Sequence, residues 1–182
     1  MAGRGAAGTA VPRGHRILPH TADAGIAAEG PTLEAVFEEA AVAVAELSAD
    51  VDRSVLAPAE EQAEAAGRAI EAGGGAMAGG ASTRAPLLRR SVELTAPDLV
   101  GLAFAWLNEC IGLVDVAGAI VGCRVFAVAE DADGARLRAS VDLVPFDGVR
   151  VRRRADVKSA TYHGLAVERR PGGWSLTAYL DL

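Results

Sequence analysis

The sequence predicts an α+β fold, a two-layer sandwich of two helices packed on a mostly antiparallel mixed sheet. Three observations predict it. Two segments carry apolar residues at helical spacing. The other patterned segments alternate with period two and are separated by turn signals. The strands come in runs rather than alternating one by one with helices, which sets this chain apart from doubly wound folds.

Residues 17–19 and 25–29 read as short extended pieces around a turn. Residues 32–48 read as a helix. Thr32 suits the N-cap and Glu34 the positive end of the helix dipole. Leu33, Val36, Phe37, Ala40, Ala41, Val44 and Leu47 form one apolar stripe. Residues 90–95 read as a strand. Pro97 fits the first position of a second helix, with Asp98 favoured by its dipole. Leu99, Leu102, Ala103, Trp106, Cys110, Leu113 and Val114 make its buried face, with Asn108 and Glu109 turned outward. Past Gly118 the period becomes two. Val121, Cys123, Val125 and Ala127 share one face, and Asp133-Gly134 marks a hairpin. Leu137, Ala139, Val141 and Leu143 alternate with Arg136, Arg138, Ser140 and Asp142 as a half-exposed strand. Residues 157–168 and 174–180 make two more strands around Pro171-Gly172-Gly173.

Two stretches have little to bury. Residues 1–15 are Gly-, Ala- and Arg-rich without a period and read as a disordered arm. Residues 57–86 hold 11 Ala and 6 Gly and read as a flexible insertion in a single domain spanning 16–182. The 51 % hydrophobic content of the 182 residues includes 39 Ala, so the larger apolar side chains suffice for one core. With 18 Lys+Arg against 24 Asp+Glu and a net charge of −6, the surface is not built to coat nucleic acid. No uninterrupted apolar run approaches the ~18 residues of a membrane span, and no secretory leader is visible, so the expectation is a cytoplasmic protein with no membrane partner. Cys110 and Cys123 are too few for a disulfide framework or a zinc site. Cys110 reads as a small buried hydrophobe.

Three segments carry candidate chemistry. In His20-Thr21-Ala22-Asp23, Asp23 is compatible with a metal ligand, a general base or an Asx-turn residue. His20 is compatible with a ligand, a proton shuttle or a structural histidine. In Val157-Lys158-Ser159-Ala160-Thr161-Tyr162-His163, alternation places Lys158, Ala160 and Tyr162 on one face and Ser159, Thr161 and His163 on the other. That second face is either a polar site lining or plain solvent surface. Lys158 offers a point cation. In Tyr179-Leu180-Asp181-Leu182, an acid and a further carboxylate on Leu182 lie one residue apart, the kind of oxygen set that hard cations take. Arg150 to Arg154 form a basic run, read either as a protected strand edge or as a phosphate contact, with Arg152, Arg153 and Arg154 the candidate nucleic-acid residues.

Taken together, these segments resemble the archease family. Its signature elements are matched by His20 to Asp23, by the Thr-Leu-Glu-Ala-Val-Phe-Glu-Glu-Ala-Ala run from Thr32, by Trp106-Leu107-Asn108-Glu109, by Val157 to His163 with Ser159 in place of the usual Ala, and by Asp181-Leu182. The resemblance implies an archease-like α+β fold. It implies a protein that is not itself an enzyme but activates an RtcB-type RNA ligase, which joins 3′-phosphate or 2′,3′-cyclic phosphate ends to 5′-hydroxyl ends, by promoting guanylylation and multiple turnover in tRNA splicing or RNA repair. It further implies a divalent cation, seen as calcium with Mg²⁺ or Mn²⁺ as alternatives, held by Asp23, Asp181 and Leu182. Lys158, with His20 and His163, falls to partner activation, and RNA contact is indirect or weak. An older association of the family is as chaperone or specificity modulator of a tRNA methyltransferase. A metal-dependent hydrolase using Asp23 and His163 is the competing enzymatic reading. The residues 1–15 and 57–86 have no counterpart in compact members.

Overall fold

The computed structural model describes residues 11–19, 23–56 and 86–182. Their order is β1 (Gly14–Pro19), β2 (Asp23–Gly30), α1 (Leu33–Ser48), β3 (Ala49–Val51), a 3-10 turn (Arg53–Leu56), β4 (Leu88–Ala96), α2 (Leu99–Ala117), β5 (Ala119–Asp131), β6 (Gly134–Val144), β7 (Val151–Arg153), β8 (Ser159–Arg170) and β9 (Gly173–Asp181). The strands form a four-stranded sheet β1-β2-β9-β8, a three-stranded sheet β4-β6-β5 and a two-stranded ladder β3-β7. Each described pairing is antiparallel. The α+β architecture with two helices on antiparallel sheet is therefore the observed one.

The helices lie where their patterns direct them. Thr32 caps α1, its hydroxyl accepting from Ala35 N–H at 3.2 Å. Val36, Phe37 and Val44 of α1 join Leu102, Trp106 and Leu107 of α2 in the core, against Ile26, Leu176 and Leu180 of one sheet and Leu137, Val141 and Leu143 of the other. Trp106 is fully buried, and its Nε1–H donates to the Phe37 carbonyl at 2.9 Å, tying the helices together. By length and composition α2 could cross a bilayer. Here it serves as a core helix, with Leu102, Ala103, Trp106, Leu107 and Cys110 fully enclosed.

Helix side chains also cover strand edges. The outer edge of β5 donates from Val125 N–H to Glu38 (2.7 Å) and from Val128 N–H to Glu34 (3.2 Å). These carboxylates stand one turn apart on α1. On the other sheet, Ala160 N–H of β8 donates to Asn108 Oδ1 of α2 at 3.1 Å.

The structure corrects several local expectations. Asp98, not Pro97, begins the second helix: Asp98 is its N-cap, accepting from Gly101 N–H at 2.7 Å, and Pro97 lies outside. Asn108 does not face outward but bonds β8. The period-two reading of β5 fails because register shifts fall at Ile120/Gly122 and Val125/Ala127, so Val125 and Val128, three apart, are both buried. An added residue in a ladder resets which face the following side chains take. The ladder β3-β7 was not expected, since three-residue strands carry too little period to be read. Residues 11–15 of the expected arm are tied to the fold: Val11 N–H donates to Gly172 O at 3.1 Å, and Gly14 and His15 belong to β1. Residues 1–10 and, except for Pro86, the 57–86 insertion lie outside the described residues.

A charged clamp holds β1 on α1. Arg13 pairs with Glu38 (2.8 Å) and Glu39 (2.5 Å). His15 meets Glu39 through Nδ1 at 2.8 Å and Glu46 through Nε2 at 3.0 Å. Only the imidazolium can donate from both nitrogens. Burial lowers the His15 pKa, but the hydrogen bonds to Glu39 and Glu46 outweigh it and hold it above the ordinary value. Burial raises Glu39, and its bonds to Arg13 and His15 outweigh that and hold it low.

Two outcomes follow from this packing. Trp106→Phe removes the indole bond and leaves a void, and should lower unfolding free energy by about 2–3 kcal/mol in urea titrations. A raised folded pKa means that the His15 contribution is complete below its unfolded value of about 6.5 and is lost as pH rises through the folded value. Stability should therefore fall across that interval, and His15→Asn should flatten the fall. A wild-type profile identical to that of His15→Asn would contradict the clamp.

Candidate functional site: a carboxylate pair at the end of the β2-β9-β8 sheet

Side chains of directly paired residues project from the same face of a sheet, and successive rows alternate. Ala24, Leu180 and Ala160 form one row across β2, β9 and β8, and all three are buried. The adjacent row is Asp23, Asp181 and Ser159, so these three project from the opposite, outer face. Asp23 opens β2 and Asp181 closes β9, which places the pair at one end of the sheet. Opposed residues have Cβ atoms about 4.5–5.5 Å apart, where two like charges repel.

Lys158 reaches the same end. Its N–H continues the ladder to Asp181 O at 2.8 Å, and its Nζ donates to Leu182 O at 2.7 Å. The fold thus brings Asp23 together with Lys158, Asp181 and Leu182, all of them far from it in the chain. One row inward on the outer face are Gly25, Tyr179 and Thr161. Thr161 Oγ1 donates to Tyr179 O at 3.3 Å. His163 is exposed, its ring tilted against Tyr179 with centroids 6.1 Å apart. His20 lies outside the described residues.

The expected alternation holds through His163, with Tyr162 on the helix side and His163 beside Tyr179 on the outer side. A register shift falls between Thr161 and Ala166. Tyr162 stacks on Phe104 of α2, with centroids 4.0 Å apart and planes 12° apart. Tyr179 is the neighbour that the motifs did not single out. Its signal was present, since it precedes Asp181 by two on a strand and shares its face.

The basic run is ion-paired on the β3-β7 ladder, not on the carboxylate sheet. Arg152 bonds Asp50 at 2.6 Å. Arg153 bonds Asp115 at 2.8 Å and lies over the Phe146 ring at 4.8 Å. Arg154 donates to Glu46 O at 3.4 Å. The cysteines are free thiols away from this row. Burial pushes the Cys110 thiol well above its ordinary value, and burial, aided by Glu38, pushes Cys123 up to about 12.

The donor set suits a hard divalent cation: two carboxylates with main-chain oxygen beside them, and no sulfur. Among the described residues no three His, Cys, Asp or Glu side chains converge. A cation here would complete its shell of six to eight oxygens from main chain and water.

Two helices on antiparallel sheet make this an α+β protein of the sandwich class. The model of the Archease protein family (MTH1598/TM1083) matches residues 15–72 and 52–182, and the chain belongs to that family. It is 29 % identical over 128 residues to "Protein archease" of Pyrobaculum neutrophilum, covering 70 % of this chain and 67 % of the relative. It also resembles the solution structure of Methanobacterium thermoautotrophicum protein 1598, with a TM-score of 0.64, 27 % identity, and coverage of 93 % of this chain and 99 % of that one.

Asn108 holds the edge of β8 beside the site, donating from Nδ2 to Phe104 O at 2.9 Å while accepting from Ala160. Asn108→Ala should strand the Ala160 N–H, cost about 1–2 kcal/mol, and speed hydrogen exchange at that amide. Unchanged exchange would show that the bond is not what protects it.

Proposed function

We propose that this archease-family protein is a non-catalytic, cation-binding cofactor of an RtcB-type RNA ligase in the cytoplasm, promoting guanylylation and repeated turnover during tRNA splicing or RNA repair. The observation that carries the reading is the direct opposition of Asp23 and Asp181 with Lys158 at the same sheet end. Two facing carboxylates are unfavourable unless a cation or donors compensate them, and calcium is the hard ion that best accepts such a flexible oxygen set. When bound, the cation supplies charge neutralisation and a fixed geometry.

The chain's own residues supply the rest. Asp23 and Asp181 offer oxygens from adjacent strands. Leu182 offers a main-chain oxygen. Lys158, anchored through its own N–H on Asp181 O, holds its ammonium on Leu182 O, so a cation drawing on that oxygen would share it with Lys158. An activator shifts its partner only by binding one state of it better. The patch therefore acts by preferring the guanylylation-competent ligase.

The test is ligation by the cognate ligase with RNA in excess. Wild-type protein should convert a single-turnover reaction into many turnovers. Asp181→Asn should lose most of that stimulation and Lys158→Ala should lose it while still binding calcium. Stimulation equal to wild type in both variants, or none by wild type, would overturn the reading.

A further inference from the structure

The Tyr179 ring lies against one glycine of each neighbouring strand: Gly25, its direct partner on β2, and Gly164 of β8, three residues past its partner Thr161. A Cβ on Gly25 of β2 would stand 3.3 Å from Tyr179 Cε1, and one on Gly164 of β8 would stand 2.7 Å from Cε2. Opposite edges of one ring are thus fitted against the backbones of two different strands. Gly164 has φ +64, a conformation that side chains rarely adopt. It falls within the irregular stretch of β8 between Thr161 and Ala166.

The ring sits one row from Asp23 and Asp181, on their face. Asp23 is the first residue of β2 and Asp181 the last of β9, so few ladder bonds lie beyond them. A flat ring packed against both β2 and β8 beside that end fixes the spacing of the strands there.

We propose that Tyr179 is a positioning residue for the cation site: its ring, seated between Gly25 and Gly164, holds Asp23 and Asp181 at binding distance. This rests on the cation reading above. Preorganised ligands bind more tightly because less ordering is left to be done on binding.

Calcium titration calorimetry on the full chain tests it, with thermal unfolding measured in parallel. Tyr179→Leu, which keeps apolar bulk without a flat ring, should weaken calcium binding at least tenfold. Tyr179→Phe, which keeps the ring, should stay within twofold of wild type. Tyr162→Leu removes the stack on Phe104 on the other face; it should lower Tm and leave calcium affinity unchanged. Tyr179→Thr, a strand-favouring variant, serves should Tyr179→Leu not fold. If Tyr179→Leu or Tyr179→Thr binds calcium like wild type while Asp181→Asn loses it, the positioning role is wrong and the cation site stands. If affinity loss merely follows Tm in all variants, Tyr162→Leu included, the role is structural and the inference fails. If wild type takes up no calcium, the cation reading falls and this inference falls with it.

Discussion

Because side chains alternate along a strand, the register of β2 on β9 settles two matters at once. It turns Ala24, Ile26, Leu176, Ala178 and Leu180 toward the helices, and it sets Asp23 against Asp181 on the outer face. A slip of one residue would send the apolar set outward and bury the acids. The burial of Ile26 and Leu180 therefore also fixes the position of the carboxylates. Core and site are two readouts of one pairing, and β8 extends both by adding Ala160 inside and Ser159 outside.

The helices contribute more than apolar surface. Sheet edges with unpaired amides invite mispairing, and here polar helix residues occupy them. Glu34 and Glu38 take amides of β5, and Asn108 takes one of β8. The run from Thr32 to Ala41 can be read position by position in these terms. Thr32 caps the helix, Val36 and Phe37 enter the core, Glu34 and Glu38 seal β5, and Glu39 binds Arg13 and His15. In the second helix Trp106 anchors the core while Asn108 seals the other sheet. Motif residues with no place in the proposed chemistry thus have a structural task.

The charge distribution separates in a similar way. Arg150, Arg152 and Arg153 are drawn into pairs with Asp147, Asp50 and Asp115, and Arg154 donates to the Glu46 carbonyl, so most of the basic run is matched by nearby acids. The acids at Asp23 and Asp181 stand opposite one another in the β2-β9 register, so the two charged groups belong to different sheets.

The sequence by itself determined the fold class, both helices, the Thr32 cap, the hairpin strands and the family. Each of these is written in local periodicity or in short motifs. It also named the residues of the candidate site, because they lie in those motifs. Their meeting was expected only through the family resemblance and not from local pattern, since Asp23 and Asp181 are separated by most of the chain and the β2-β9 register is what joins them. The interruptions of β5 and β8 were equally hidden, because a bulge is set by how a strand must bend against its partners and leaves no period of its own. The same reason hid Asn108, whose amide faces a strand about fifty residues later, and Tyr179, whose ring found its two glycines only once three strands lay side by side. Local sequence fixes which way a side chain alternates; long-range packing decides what it meets there.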